Sequence, residues 1–155
     1  MTAHHNHPAG RLPGFRVCFL RDLIMSHWTF NDGGRAAAGY KGTAGDCVTR
    51  ALAIATGETY AEVYAEVTQR AGKTARNGVP KHVGREFLTA RGWRWTPTMT
   101  IGSGCTVHLR PDQLPGGTIV CQCSKHLVAV VDGVLQDTHD SSRSGTRCVY
   151  GYWSR

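Results

Sequence analysis

The spacing of apolar residues changes at Gly92, and this change limits the fold more than any other feature of the chain. From Asp46 to Gly92 apolar residues recur at i, i+3 and i+4, which is typical of amphipathic helices. After Gly92 the sequence breaks into short runs rich in β-branched and aromatic residues, separated by Gly, Pro, Ser and Asp. Helices followed by strands predict an α+β domain, in which N-terminal helices pack on a C-terminal antiparallel sheet.

Three helices are predicted before the period changes. The first follows Asp46, which is a natural N-cap, and ends at Gly57 as its C′ residue. Thr59 and Glu62 have the spacing of a capping box and predict the start of a second helix. The third begins at Pro80, since proline is favoured in a first helical turn.

The most specific strand signal is Asp132-Gly133, which lies between the runs HLVAVV and VLQDT. Asp-Gly favours a two-residue hairpin turn. With that loop His126 pairs with His139, and Asp137 is the diagonal neighbour of His126 on the same face of the sheet. The register therefore predicts a carboxylate–imidazole hydrogen bond between Asp137 and His126, with His139 as the second-choice histidine.

Cys47, in the stretch TAGDCVTRALA, is the predicted nucleophile. Cysteine attacks as the thiolate, whereas a free thiol with a pKa of about 8.5 is mostly protonated at neutral pH. A helix N-terminus and a nearby imidazolium both lower that pKa, and the free N–H groups of a first helical turn can hold an oxyanion. Cys47 also lies at the polar start of its helix, outside the apolar stripe.

The order of these residues resembles that of the papain-like cysteine hydrolases. GDCVTRALA is similar to the cysteine helix of that superfamily, and KHLVAVVDGVLQDTHD is similar to its histidine and aspartate hairpin. The compact size resembles the leader-cleaving and NlpC-type cysteine peptidases and small bacterial or phage proteins. The resemblance implies a papain-like fold, with Cys47 as nucleophile, His126 as general acid and base, and Asp137 as the residue that orients the histidine.

The sequence departs from this resemblance at the second oxyanion donor. Leader-cleaving and papain-type members usually carry a glutamine a few residues before the cysteine, and Lys41 stands where it is expected. Asn31 and Thr43 are the residues proposed to replace that glutamine. The glycine-rich segment 31–45 matches neither a Walker loop nor a dinucleotide fingerprint, because no strand-like run precedes it and no Gly-Lys-Ser/Thr follows it.

Three alternatives remain open at this point. Cys121, Cys123 and His126 have C-x-C-x-x-H spacing, and a structural zinc site is possible if Cys148, His108 or His139 completes it. A papain-like protein without turnover, serving as an interaction or structural protein, is the second. The third alternative is that the same three residues catalyse deamidation or acyl transfer instead of peptide hydrolysis.

Charge and cysteine content restrict the expected partners. The chain of 155 residues has a net charge of +7, but its Lys and Arg residues never form a run of three, so nucleic acid is not expected as a partner. A peptide or another amide is the expected substrate, with no cofactor and no metal. No signal peptide or membrane-spanning run is recognised, so a cytoplasmic location, or a phage particle, is expected with all six cysteines as thiols.

The N-terminal segment differs from the rest of the chain. Residues 1–24 contain histidines, prolines and glycines without a hydrophobic period, which is typical of a flexible extension. Met25 is a plausible second start. We therefore expect one papain-like domain over residues 25–155.

Overall fold

The computed structural model describes residues 27–155, so the predicted N-terminal extension lies outside the described residues. It shows an α+β fold with three helices and one six-stranded sheet. In chain order, the elements are β1 (Trp28–Phe30), α1 (Cys47–Thr56), α2 (Tyr60–Ala71), α3 (Lys81–Ala90), β2 (Arg94–Pro97), β3 (Thr118–Cys123), β4 (His126–Val131), β5 (Val134–Asp137) and β6 (Gly151–Ser154).

The sheet is mixed, which corrects the prediction of an antiparallel sheet. Its strand order is β1-β5-β4-β3-β6-β2, and neighbouring strands are antiparallel except for β1 and β5, which are parallel. The expectation that no strand precedes the glycine-rich segment is also wrong, because β1 lies directly before it. β1 has only three residues and pairs with a strand more than a hundred residues away, so local patterning gives no signal for it.

The three predicted helices are confirmed, together with most of their end signals. Gly57 ends α1 in the left-handed conformation, and the capping box of Thr59 and Glu62 opens α2. Pro80 directly precedes α3. The expectation that Asp46 caps α1 is wrong in one respect, since its side chain makes no capping hydrogen bond. Its carboxylate is buried and faces other side chains instead.

The core consists of two apolar clusters, and alternate residues of β4 pack in one cluster or the other. Leu127 and Ala129 pack in the cluster that contains the residues of α1 and α3. Val128 and Val130 pack in the second cluster, with Leu135 of β5. This alternation is that of a sheet buried on both sides, because successive strand residues point to opposite faces.

The β4–β5 hairpin has the register that Asp132-Gly133 predicts. Both turn residues have positive φ, 48° for Asp132 and 81° for Gly133, as a type I′ turn requires. Val131 pairs with Val134, so no bulge shifts the strands. The predicted register is therefore confirmed for the three residue pairs next to the turn, which extend to Ala129 and Gln136.

A disulfide joins Cys105 to Cys148, whose Cα atoms are 5.8 Å apart. The expectation that all six cysteines are thiols is thus wrong for this pair. The backbone near it is paired by an isolated bridge between His108 and Cys148, which brings together segments distant in sequence. Cys47, Cys121 and Cys123 are free. None of the helices within residues 27–155 has the length and apolar character needed to cross a bilayer.

Candidate active site

Cys47, His126 and Asp137 come together where three elements begin or end. Cys47 is the first residue of α1, His126 is the first residue of β4 and Asp137 is the last residue of β5. His126 Nε2 lies 2.7 Å from Asp137 Oδ2, and because a carboxylate can only accept, the ring N–H donates this hydrogen bond. Nδ1 is therefore the ring nitrogen left to interact with Cys47, and the thiol and the ring each shift the pKa of the other.

The side chains of His126 and Asp137 reach α1 because both residues stand at the ends of their strands. Interior residues of the same parity, Val128 and Leu135, pack in the cluster on the side away from α1. His126 and Asp137 share their parity, but they stand at the edge where the strands stop. There they contact Cys47 and Arg50 of α1.

The electrostatics of the three groups favour a thiolate–imidazolium pair. Burial opposes ionisation of Cys47, but the hydrogen bond to His126, a backbone N–H of Leu127 and the charges of His126 and Arg50 outweigh it and lower the thiol pKa below 9.0. Burial likewise opposes protonation of His126, but its hydrogen bonds to Asp137 and Cys47 raise its pKa from 6.5 to about 9. Burial would raise the pKa of Asp137, yet its bond to His126 holds it well below its usual range. The pairing therefore stabilises the charged form of each group.

A buried charge network behind Asp137 was missed by sequence reasoning. Arg50 Nη2 lies 3.2 Å from Asp137 Oδ1, while Arg50 Nη1 pairs with Asp46. Asp46 also accepts a hydrogen bond of 2.5 Å from Tyr60 and lies 3.3 Å from Arg35 Nε. Arg50 thus fixes the carboxylate that orients His126. The available signal was a charged residue within an apolar helix, four positions after an aspartate.

The use of Asp46 in this network leaves the start of α1 open to a ligand. An N-cap side chain normally accepts from an N–H of the first turn, and Asp46 does not. Cys47 is the first residue of that turn, and its N–H is one of the donors that a helix leaves unpaired. The helix start can therefore hold negative charge next to the thiol.

The thiol opens onto a cleft of about 850 Å³. Cys47, Val48 and Leu127 line this cleft, together with residues that include Trp95 and Trp153. The volume is in the range of sites that bind drug-sized ligands, roughly 300–1,000 Å³. The Cys47 thiol and the His126 ring therefore both belong to the site at this cleft.

No family model matches the chain, and no curated protein or solved structure gives a significant match. The site must therefore be interpreted from its own geometry.

Asn31 and Thr43, the predicted oxyanion donors, are not among the residues that line the cleft. The Asn31 amide donates to the Gln136 side chain at 3.1 Å, and its oxygen accepts from the N–H of Gly33. The Thr43 carbonyl accepts from Arg76. Asn31 nevertheless lies beside the site, because its backbone N–H donates to the Asp137 carbonyl at 2.9 Å. The role of Asn31 and Thr43 as oxyanion donors stays a prediction.

Gln122 is a cleft residue that the sequence did not indicate. Its Nε2 donates to the carbonyls of Cys123 at 2.8 Å and His126 at 3.2 Å. Both amide hydrogens are thus used to hold the β3–β4 hairpin. Gln122 therefore fixes the backbone of the histidine and is not a free oxyanion donor.

The structure also shows where a metal could bind. His126, Asp137 and His139 offer ligand atoms that lie within 4.8 Å of one another. His139 is largely exposed and its Nδ1 is 3.9 Å from Asp137 Oδ1. A divalent cation there would displace the hydrogen bond between His126 and Asp137. The alternative zinc site has less support, because Cys121 and Cys123 are buried among apolar residues and Cys148 is in the disulfide.

Proposed function

We propose that the protein is a cysteine hydrolase of the papain-like type, a thiol peptidase or amidase. The observation that carries this proposal is the arrangement of Cys47 at a helix start, in contact with a histidine whose other nitrogen is 2.7 Å from Asp137. A nucleophile, a base and a group that orients the base, placed together at a cleft, are what covalent acyl transfer requires.

The proposed mechanism begins with attack of the Cys47 thiolate on an amide carbonyl. The carbonyl oxygen becomes an oxyanion and is held by the backbone N–H of Cys47 at the helix start. Imidazolium His126 then donates its Nδ1 proton to the leaving amine, which leaves a thioester on Cys47. Neutral His126 next takes a proton from water, and the resulting attack on the thioester releases the acid and regenerates the thiolate. Asp137 keeps the ring oriented in both steps, and Arg50 keeps Asp137 in place.

Turnover of p-nitrophenyl acetate tests this proposal, because it separates a reactive thiol from a hydrolase. We expect a burst of p-nitrophenol and an acetyl group on Cys47 detected by mass spectrometry, followed by steady hydrolysis. Cys47→Ala should remove both phases. His126→Asn should slow both acylation and deacylation, since either step needs a proton transfer.

Cys121→Ala is the matched control, since burial raises the pKa of that thiol and keeps it from the reagent. The assay should be repeated with a chelator. Undiminished hydrolysis supports the thiol mechanism, whereas loss on chelation would favour a metal on His126, Asp137 and His139. If Cys47 acetylates and the thioester is never hydrolysed, the protein is not a hydrolase.

A further inference from the structure

The cleft beside Cys47 carries an unbalanced positive charge. Lys81, Arg85 and Lys125 line it, and within residues 27–155 no Asp or Glu does. None of these three exposed side chains forms an ion pair within the described part of the chain, so no carboxylate of residues 27–155 neutralises their charge. The remaining walls are mainly apolar and aromatic. An occupant that complements this surface combines negative charge with an apolar group.

On the face of α3 that lines the cleft, the placement of charged residues destabilises the helix. Lys81 and Arg85 are four residues apart, so they are neighbours on one face of the helix, and like charges at that spacing are destabilising. Lys81 also lies in the first turn, which contains no acidic residue and where a cation opposes the helix dipole. Departures from local preference of this kind are expected at functional sites.

Gly84 lies between Lys81 and Arg85 in the wall of the cleft, and it adds no side chain to that wall. A glycine inside a helix is unfavourable relative to alanine. A Cβ atom here would meet Leu127 at 3.5 Å and Val48 at 3.8 Å, which is ordinary contact, so packing does not demand glycine. Because Val48 and Leu127 also line the cleft, the missing side chain leaves room beside Cys47.

Part of the cleft wall is aromatic. The Trp95 and Trp153 rings have centroids 5.1 Å apart, and Trp95 is 40% exposed. Gly151 makes this position possible, since a Cβ atom there would overlap the Trp95 ring. Tyr150 lies next to this wall, with Lys81 Nζ 5.8 Å from its ring centroid. The cations and the aromatic wall therefore face the same space.

We propose that the substrate of Cys47 is an acidic peptide, in which a carboxylate bound by Lys81, Arg85 and Lys125 lies next to an apolar side chain that packs on Trp95. This inference rests on the proposed function and names its substrate class. An extended nucleic acid is less well matched, because the three cations are confined to one cleft and do not form a stripe.

A pair of alkylating reagents tests the charge preference directly. Iodoacetate carries a carboxylate where iodoacetamide carries a neutral amide, and both reagents alkylate thiolates. The ratio of their rate constants cancels changes in the reactivity of the thiol. For the intact protein at low salt we expect this ratio to exceed that of a neutral small thiol by about tenfold, and to fall as added salt screens the charges.

The triple variant Lys81→Gln, Arg85→Gln, Lys125→Gln separates the cleft cations from the charge of His126. We expect it to lower the ratio of iodoacetate to iodoacetamide by roughly three- to tenfold. The matched control, Lys41→Gln, Lys73→Gln, Arg155→Gln, removes the same charge outside the cleft and should leave the ratio unchanged. All six side chains belong to exposed residues, so both variants should fold.

The outcomes distinguish this inference from the proposed function. An unchanged ratio in the cleft variant, or an equal fall in both variants, would overturn the acidic substrate while leaving the hydrolase proposal intact. A Cys47 that reacts with iodoacetamide no faster than a small thiol would instead contradict the proposed function. A high ratio of iodoacetate to iodoacetamide rate constants in the intact protein, lowered in the cleft variant, supports the preference for an anion. This holds whether or not Cys47 is unusually reactive.

Discussion

Replacing Asp137 with Asn removes the charge that holds His126 protonated while preserving the size of the side chain. The contact from His126 Nε2 to Asp137 Oδ2 is 2.7 Å and both groups are largely buried. An opposite charge at such a distance shifts a pKa by about 1–3. We therefore expect the pKa of His126 to fall from about 9 by that amount, towards its ordinary value of 6.5.

The loss of the imidazolium charge raises the pKa of Cys47, because that charge and hydrogen bond are what outweigh burial of the thiol. Near pH 8 His126 is still mainly protonated in the unmodified protein and largely neutral in the variant, so there we expect Asp137→Asn to slow alkylation of Cys47 by roughly three- to tenfold. Above about pH 10 the thiol is ionised in both proteins, and their rates should converge. The assay is the pH dependence of the iodoacetamide rate constant, followed by mass spectrometry of the Cys47 peptide.

Asp46→Asn is the matched control for this experiment. Like Asp137→Asn it removes one carboxylate from Arg50, but it leaves the bond to His126 in place. Both variants should lose stability of about 1–3 kcal/mol, since a buried charge loses a partner. Only Asp137→Asn should strongly change the rate near pH 8. Identical pH profiles for Asp137→Asn and the unmodified protein would refute the reasoning.

Three further predictions concern stability. Gly84→Ala should raise the free energy of unfolding by about 0.5–1 kcal/mol in urea titrations, because a helix interior favours alanine and the new Cβ has space; a destabilised variant would show that the cleft wall is packed more tightly. His126 has a pKa raised from 6.5 to about 9, so its stabilising contribution is complete below pH 6.5 and is lost as the pH rises through about 9. Thermal melts across that range should show the decline, and melts of His126→Asn should not. Cys105→Ser with Cys148→Ser should cost about 3–4 kcal/mol, the loop-closure value for a separation of 43 residues; equal urea midpoints for the two proteins would contradict this.

Local signals were sufficient for the elements that carry the site. The capping box at Thr59 and the left-handed Gly57 act through neighbouring residues, so their effect is visible in the sequence. The Asp132-Gly133 turn sets the register of its hairpin for the same reason. Since His126 and Asp137 stand at the two ends of that hairpin, their contact followed from the turn alone.

Features that depend on distant contacts could not be predicted in this way. β1 pairs with β5 across most of the chain, and nothing near residues 28–30 specifies a parallel partner. Asp46 has the sequence position of an N-cap, but its partners Arg50 and Tyr60 draw the carboxylate into the interior. The disulfide between Cys105 and Cys148 likewise depends on segments that only the folded sheet brings together.

The cleft cations were visible in the sequence only as scattered charges. Lys81 and Arg85 belong to α3, whereas Lys125 lies in the turn before β4. Their common location depends on how α3 packs beside the sheet, so no spacing rule connects them. The sequence shows a net charge of +7 but not which surface carries it, because that depends on the fold.

The most direct test of the central claim is the rate at which Cys47 reacts with iodoacetamide at about pH 6, compared with N-acetylcysteine amide under the same conditions. A thiolate held by His126 and Asp137 predicts that Cys47 reacts at least about tenfold faster than this small thiol, and that His126→Asn removes the difference. A Cys47 that reacts no faster than the small thiol would contradict the account.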